Sequence, residues 1–226
     1  MSAEAALRAT EVLMALAFLQ QSAEHLVGPR AERWLFAARF LLSLLMLGGF
    51  WVAWALLALV GLALAMLHRF NGPYNGGSDR MGLLVLLCLT AAHWAPTPFW
   101  RDAALGYLAL QTVLSYVISG QVKIVNPEWR SGRALVDVFR FSAYPVSRDL
   151  RALALRPQLL WAMGWAVMLF ELAFPLAFFD QRLLIAALGM AALFHLANAC
   201  LFGLNRFFWI WIAAYPSLLW LQARLV

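Results

Sequence analysis

The stretch WAMGWAVMLFELAFPLAFF, residues 161–179, is long enough to cross a membrane as a helix and contains a single charged side chain, Glu171. The rest of the chain has the same character, since 64% of its residues are hydrophobic, 12% are charged and its mean hydropathy is +0.77. A soluble fold of 226 residues has no interior large enough for so much apolar surface. The sequence therefore predicts an all-α, polytopic integral membrane helical bundle, with residues 1–226 as one transmembrane domain.

Apolar runs recur along the chain and predict seven or eight transmembrane segments. The runs cover residues 10–26, 34–48, 50–68, 81–95, 103–125, 158–179, 183–204 and 207–223. The count stays open because the first run is amphipathic and could lie on the surface, and because residues 34–68 could form one helix broken at Gly48 and Gly49. The net charge of +6 is spread over the connections between runs. That pattern is typical of membrane-orientation signals and not of a nucleic-acid surface.

Two connections differ from simple linkers. RFNGPYNGGSDRM, residues 69–81, combines Gly and Pro with polar side chains, which predicts a sharp turn that presents polar groups. An ordinary hairpin loop is the alternative for this segment. Residues 126–157 mix Arg with Leu, Val and Phe at helical spacing, which is typical of an amphipathic connection in the membrane interface, anchored by Trp129. A substrate role is the alternative for this second connection.

Ionisable side chains within the spans are the first candidates for a functional site, because they are costly in hydrocarbon. Glu171 and His195 lie in the middle of two late spans, and Lys123 ends the span before them. A low-dielectric pocket disfavours charged forms, so the three groups together could supply an amine base and its proton partners. We therefore predict Lys123, Glu171 and His195 as the catalytic residues.

Polar side chains near these three residues predict a ligand-binding face. Four residues of the Lys123 span recur at every fourth position and form a slowly drifting stripe on one side of the helix. The stripe consists of Gln111, Ser115, Ser119 and Lys123, with Tyr116 beside it. We expect it to face protein or a cavity. The other predicted ligand-binding residues are Asn198, Trp129, Tyr74, Asn75 and Ser78.

Each catalytic candidate also has a structural alternative. Lys123 stands near the carboxyl end of its helix, where it could extend to the interface and complement the helix dipole. His195 could be a core histidine bonded to Asn198 or to a backbone carbonyl. A carboxylate in the middle of a span needs a partner, and either Arg39 or Lys123 could pair with Glu171. The two cysteines lack CxxC spacing, so the sequence predicts neither a disulfide nor a metal site.

Two stretches carry a family resemblance: SYVISGQVKIVNPEWRSGRAL, residues 115–135, and ALFHLANACLFGLNRFFWIWIAAYPSLL, residues 192–219. From about residue 60 to residue 223 the chain resembles the horizontally transferred transmembrane helix (HTTM) family, which includes the vitamin K-dependent gamma-glutamyl carboxylases. The likeness lies in a Gly and a Lys before Trp-x-x-Gly, a Phe-His pair in a late span and an acidic residue in the preceding span. These positions are Gly120, Lys123, Trp129, Gly132, Phe194, His195 and Glu171.

The resemblance implies a chemistry for Lys123. In the carboxylases the lysine of this segment deprotonates vitamin K hydroquinone, and oxygenation then yields an alkoxide that removes a proton from glutamate. Lys123 would be the matching base, and a quinone such as menaquinone the matching cofactor. Two departures weigh against protein gamma-carboxylation by this chain alone. The carboxylase pattern Asn-Asn-His-Ser is replaced by Asn75, Gly76, Gly77 and Ser78, and the large lumenal region that holds protein substrates is absent.

We therefore predict a bacterial membrane-embedded enzyme that binds an isoprenoid quinone between its helices and oxidises or epoxidises the hydroquinone with Lys123 as base. One lysine against sixteen arginines is typical of a GC-rich genome, so a bacterial inner membrane is the expected location. The expected partners are the lipid bilayer, the quinone and a separate protein substrate or partner subunit, without nucleic acid or metal. The alternative is a non-catalytic membrane accessory protein that assists export, maturation or resistance of a partner peptide or protein.

Overall fold

The computed structural model describes residues 1–27, 30–69, 77–141 and 148–225, and these residues are helical almost throughout. The α-helices are α1 (Ala3–Leu26), α2 (Arg30–Gly48), α3 (Val52–Arg69), α4 (Gly77–His93), α5 (Pro98–Val125), α6 (Pro127–Arg130), α7 (Arg133–Phe141), α8 (Arg148–Arg151), α9 (Pro157–Ala173), α10 (Gln181–Phe202) and α11 (Asn205–Leu225). Two 3-10 helices, Ala152–Leu155 and Phe174–Phe179, precede and follow α9. Within these ranges there is no strand, which confirms the predicted all-α class.

Among the described residues, three helical segments are long and apolar enough to cross a membrane. They are Pro98–Val125, Pro157–Phe179 and Gln181–Phe202. Most of their surface is not covered by protein, as Leu169 and Leu193 illustrate with 55% and 67% exposure. Large apolar side chains on this much of a helix are stable when they meet lipid hydrocarbon. These segments indicate a membrane protein, and the count of seven or eight crossings stays a prediction.

The described residues form two compact units, Met1–Leu110 with Arg206–Val226, and Gln111–Asn205. In the first unit α1 packs against α2, α2 against α3, and α3 against α4. Helix α11 belongs to the same unit, and Gly82 of α4 leaves space there for the side chains of Ile210 and Met14. The second unit contains the last part of α5 and the chain up to α10.

Residues 34–68 form two separate helices, which settles one of the alternatives left open by the sequence. Gly49 and Trp51 have φ angles of 78° and 48°, so the chain leaves the α-helical region directly after α2. Arg8 of α1 then donates hydrogen bonds to the carbonyls of Met46 (2.9 Å) and Leu47 (2.5 Å). These carbonyls stand in the last turn of α2, where intrahelical donors are lacking, so Arg8 stabilises the end of the helix.

The first polar connection is shorter than the sequence predicts. Helix α4 begins at Gly77, so the assignment of residues 77–81 to a connecting turn is wrong. Asp79 lies in the first turn of α4, where a carboxylate complements the positive end of the helix dipole. Ser78 is buried. The predicted ligand-binding residues Tyr74 and Asn75 lie outside the described residues.

The second connection, residues 126–157, is mostly helical in its described part and contains α6, α7, α8 and the first 3-10 helix. Helix α7 buries the ring of Phe139, which lies in one apolar cluster with Ala154, Leu160 and Phe202. Its other side carries charged residues, including Arg133 and Arg140. This distribution gives the amphipathic helix that the sequence predicts, and its location in the membrane interface stays a prediction.

Candidate functional site

Glu171 lies on the buried side of α9. The buried residues of this helix recur at spacings of three and four and consist of Leu160, Gly164, Met168 and Glu171. The α-helix gives way to the 3-10 helix three residues after the carboxylate. Pro175 favours this change, because it lacks the N–H group that would otherwise donate to the carbonyl of Glu171. A carboxylate is thereby held inside the second unit at the point where the helix changes its winding.

Lys123 of α5 forms an ion pair with Glu171, whose side chain is buried. Its Nζ lies 2.7 Å from Oε1 and 2.7 Å from Oε2 of the carboxylate. The same nitrogen donates to the hydroxyl of Ser119 at 2.6 Å, and that hydroxyl donates to Glu171 Oε1 at 3.1 Å. The side chains of Lys123 and Glu171 are 15% and 3% exposed. Of the two partners considered for Glu171, the structure selects Lys123.

Gly120 permits the close approach of α5 and α9 beside this ion pair. A Cβ atom at position 120 would lie 2.9 Å from Leu172 Cγ, 3.0 Å from Glu171 Cβ and 3.1 Å from the backbone nitrogen of Leu172. One of these neighbours is backbone, which cannot rotate away. Any larger residue would therefore push the helices apart, as is usual where small residues line the contact between membrane helices.

The turn after α5 places an aromatic ring over the lysine. The side chain of Asn126 caps the short helix α6, which brings Trp129 back towards the end of α5. Lys123 Nζ lies 5.5 Å from the centroid of the Trp129 ring, within the range of a cation–π contact. Gly132 follows with a φ of 82°, and a Cβ atom there would lie 2.9 Å from the Cβ of Trp161. Position 132 thus requires glycine both for its backbone angle and for its packing.

Two tryptophans of α9 hold this turn in place. The indole N–H groups of Trp161 and Trp165 both donate to the backbone carbonyl of Arg130, at 3.0 and 3.2 Å. The two residues are four apart, so their rings leave the same face of α9. Because Arg130 directly follows Trp129, these hydrogen bonds also fix the ring that lies over Lys123.

His195 of α10 forms a second polar pair with the same helix α5. Its Nε2 lies 3.0 Å from the hydroxyl of Tyr116, and both residues are buried. The Tyr116 ring stacks on Phe174, with centroids 4.3 Å apart. Tyr116 precedes Lys123 by two helical turns. The Tyr116–His195 pair and the ion pair therefore lie on one face of α5, two turns apart. The sequence had suggested Asn198 or a carbonyl as the histidine partner, and the structure supplies Tyr116.

In a comparison with known protein families, residues 88–222 match the HTTM domain. This range covers more than half of the chain. The chain belongs to the HTTM domain family. It is therefore a membrane protein of the family to which the vitamin K-dependent carboxylases are related. No curated protein and no solved structure is detectably similar to it.

The HTTM match includes Lys123, Glu171 and His195 and ends within α11. Three of the predicted ligand-binding residues contact these side chains directly, namely Ser119, Tyr116 and Trp129. Ser115 donates to the carbonyl of Thr112 within its own helix at 2.7 Å. Gln111 and Asn198 are half-buried. Ser78 belongs to the first compact unit, whereas the three predicted catalytic residues of this HTTM domain belong to the second.

Phe174 is a part of the HTTM site that the sequence reasoning missed. Its side chain is fully buried and packs on Tyr116, with Phe170 meeting the same tyrosine edge-on. The available signal was its spacing, three residues after Glu171 and on the same face of the helix. In the part of the HTTM chain that the structure describes, no group of three or more His, Cys, Asp or Glu side chains is placed to hold a metal ion.

Proposed function

We propose that this HTTM protein is an enzyme of a bacterial inner membrane that binds an isoprenoid quinone, such as menaquinone, and deprotonates its hydroquinone form with Lys123. The observation that best supports this function is the ion pair, in which Lys123 Nζ meets both oxygens of Glu171 at 2.7 Å. Buried charges destabilise a protein unless they are paired, and in membrane proteins they usually mark functional sites.

The side chains around the ion pair suit the chemistry of a quinone. A headgroup oxygen would take the place of one of the present acceptors of Lys123 Nζ, which are Ser119 and the Glu171 carboxylate, and Trp129 offers an aromatic face beside the lysine. The exposed sides of α9 and α10 are apolar, as an isoprenoid tail requires. When bound, a hydroquinone supplies a dissociable O–H group and the electrons for reduction of oxygen.

Lys123 can become a base while it remains in contact with Glu171. Low-dielectric surroundings disfavour both charged forms, so a proton that moves from Nζ to the carboxylate leaves a neutral amine and a carboxylic acid. The lone pair on Nζ can then accept the proton of an O–H group. Ser119 contacts both partners and keeps them aligned during this exchange. After the second transfer, the pair holds one more proton than before.

Tyr116 and His195 are proposed as a supporting pair for this chemistry. Tyr116 lies two turns before Lys123 on the same face of α5, and Phe174, three residues after Glu171, packs on the tyrosine ring. In this proposal the hydroxyl of Tyr116 and the imidazole of His195 can exchange a proton with each other inside the same unit. We also propose that the enzyme works with a separate protein, either as its substrate or as a partner subunit that binds the substrate.

The experiment combines lipid analysis with turnover. Wild-type protein, Lys123→Met and Glu171→Gln would be purified in detergent, with Gln121→Ala, an exposed position on the same helix, as matched control. We expect mass spectrometry of extracted lipids to find a quinone in every folded protein. Only wild type and Gln121→Ala should consume oxygen with reduced menaquinone. A wild-type protein that retains no quinone and shows no oxygen consumption would contradict the proposal.

The alternative function is that of a non-catalytic accessory protein for a partner peptide or protein, and one observation favours it. The N–H groups of Lys123 Nζ donate hydrogen bonds to acceptors inside the protein, namely Ser119 and the two oxygens of Glu171. Such self-contained polar contacts commonly hold membrane helices together. The test is a variant that combines Lys123→Met with Glu171→Leu. If this variant folds and still performs the function of the protein in host cells, the accessory function replaces the enzymatic one.

A further inference from the structure

An open cavity of about 830 Å³ lies in the second unit, on the connection between α5 and α9. It is lined by residues of α6 and α7 and by Pro157, the first residue of α9. Helix α5 ends at Val125, and both α5 and α9 belong to segments long and apolar enough to cross a membrane. A cavity at the ends of two such segments is expected at the level of the lipid headgroups, and its volume is typical of ligand sites.

The lining of this cavity carries charges of both signs. Arg133, Asp137 and Arg140 follow one another along α7 at spacings of four and three, so they share one face of the helix. Glu128 adds a carboxylate from α6. The carboxylates of Glu128 and Asp137 converge on the same atom, Nε of Arg133, at 3.4 and 3.6 Å. The cavity therefore already holds one cationic nitrogen between two carboxylates that come from different helices.

A ligand can replace these ion pairs. The side chains of Arg133, Glu128 and Asp137 are 70%, 52% and 43% exposed, and ion pairs this exposed contribute little to stability. A ligand ammonium can take the place of the guanidinium between the two carboxylates. The released Arg133 can then join Arg140 in binding a phosphate. A ligand with one charge of each sign uses both pairs of side chains, whereas an anion alone would lie beside carboxylates that repel it.

Apolar side chains border the charged ones. Val136, Phe141 and the two prolines Pro127 and Pro157 line the same cavity. The ring of Phe141 is 77% exposed at the end of the amphipathic helix α7. An exposed aromatic ring at this level of a membrane protein is stable in contact with the upper part of an acyl chain. This border favours a complete lipid over a free polar headgroup.

We propose that this cavity binds the headgroup of phosphatidylethanolamine, a zwitterionic phospholipid with a primary ammonium. The ammonium donates hydrogen bonds to Glu128 and Asp137, and the phosphate accepts hydrogen bonds from Arg133 and Arg140. The glycerol and the acyl chains lie against Phe141. Phosphatidylcholine fits less well because its quaternary ammonium has no N–H group, and phosphatidylglycerol fits less well because it has no cation. The site contains neither Lys123 nor Glu171, so it stands independently of the proposed function.

The test is the binding of defined phospholipids to the purified full chain, measured by native mass spectrometry. Native lipids would first be removed by exchange into a non-ionic detergent. The ethanolamine, choline and glycerol lipids, all with the same acyl chains, would then be titrated separately. We expect the ethanolamine lipid to bind about tenfold more tightly than the other two, as is usual for one additional charge-assisted hydrogen bond. Free phosphoethanolamine at the same concentration should displace little of this lipid, because it makes no contact with Phe141.

Two variants locate the lipid. Glu128→Gln combined with Asp137→Asn should remove the preference for the ethanolamine lipid over the glycerol lipid. Arg140→Gln should weaken the binding of both lipids by about tenfold, because it removes a phosphate contact. Arg182→Gln, an exposed position in the first turn of α10, is the matched control and should bind lipids like wild type.

Three results would each overturn the proposal. The first is equal binding of the three lipids by wild type, which needs no variant to fold. The second is a folded double variant, checked by circular dichroism, that keeps the preference for the ethanolamine lipid. The third is complete displacement of the lipid by free phosphoethanolamine, which would show that the cavity binds a soluble headgroup and not a lipid.

Discussion

Gly120 faces Glu171 without a side chain, and a Cβ atom at position 120 would lie only 3.0 Å from the Cβ of the glutamate. The same atom would lie 3.1 Å from the backbone nitrogen of Leu172, so rotation of a side chain cannot relieve the contact. The distance between α5 and α9 at the ion pair is therefore set by the smallest residue available. Lys123 is one turn further along α5, and its bonds to Glu171 depend on that distance.

Gly120→Ala should consequently lower the free energy of unfolding in detergent by about 1–3 kcal/mol, because the extra methyl group overpacks the contact with α9. Titration with a denaturing detergent, followed by tryptophan fluorescence, measures the change. Gly189→Ala is the control, since a Cβ atom at that position of α10 meets nothing within 4 Å. Equal stability of the two variants would show that Gly120 does not set the helix separation.

The ion pair should show strong energetic coupling. Lys123→Met or Glu171→Leu alone should each destabilise the protein by about 3–5 kcal/mol where the remaining partner stays charged and buried. Lys123→Met combined with Glu171→Leu should cost far less than the sum of the single changes. A double-mutant cycle of unfolding free energies measures this coupling. Additive effects would mean that the two side chains do not interact in the membrane protein.

The hydroxyl of Tyr116 should contribute to stability through His195. Tyr116→Phe removes the group that lies 3.0 Å from the imidazole and should cost about 1–3 kcal/mol, since both residues are buried. Tyr107→Phe, at an exposed position earlier on α5, should change stability by less than about 0.5 kcal/mol. The same unfolding titration compares the two. If Tyr116→Phe leaves the free energy of unfolding unchanged, His195 is held by other contacts.

Gly132 should tolerate substitution worse than another glycine with a positive φ angle. Gly49→Ala meets only the flexible side chain of Arg8 at 3.7 Å, so its cost comes from the backbone angle alone, about 1–2 kcal/mol. Gly132→Ala adds a clash with the Cβ of Trp161 at 2.9 Å and with its backbone Cα at 3.0 Å. We expect it to lose about 1–3 kcal/mol more than Gly49→Ala by thermal or detergent unfolding. A smaller loss would mean that α6 shifts away from α9 without cost.

The sequence predicted the helical class and most helix positions, because long apolar runs leave few alternatives in a membrane. It misjudged the start of α4. Hydropathy gives no weight to Ser78 and Asp79, although polar and acidic residues are favoured in the first turn of a helix. Composition also could not decide between one and two helices over residues 34–68. That outcome depends on the backbone angles at Gly49 and Trp51 and on the contact with Arg8.

The ion pair of Glu171 could be predicted from the sequence, because a buried carboxylate needs a cationic partner and few cationic side chains lie within the spans. The Tyr116–His195 contact was not, since it joins residues 79 positions apart and depends on the packing of α5 against α10. The roles of Gly120 and Gly132 were marked by family resemblance alone. Their physical reasons, two close approaches to α9, became visible only with the neighbouring helix in place.

The hydrogen bonds from Trp161 and Trp165 end on a backbone oxygen, which every amino acid at position 130 would provide. Evolution can therefore change the side chain at position 130 freely while the two tryptophans remain under selection. In related sequences, these two hydrogen bonds should be visible only as retained tryptophans on α9. No position in the turn should covary with them. Methods that infer contacts from correlated substitutions would then miss the hydrogen bonds that hold Trp129 above Lys123.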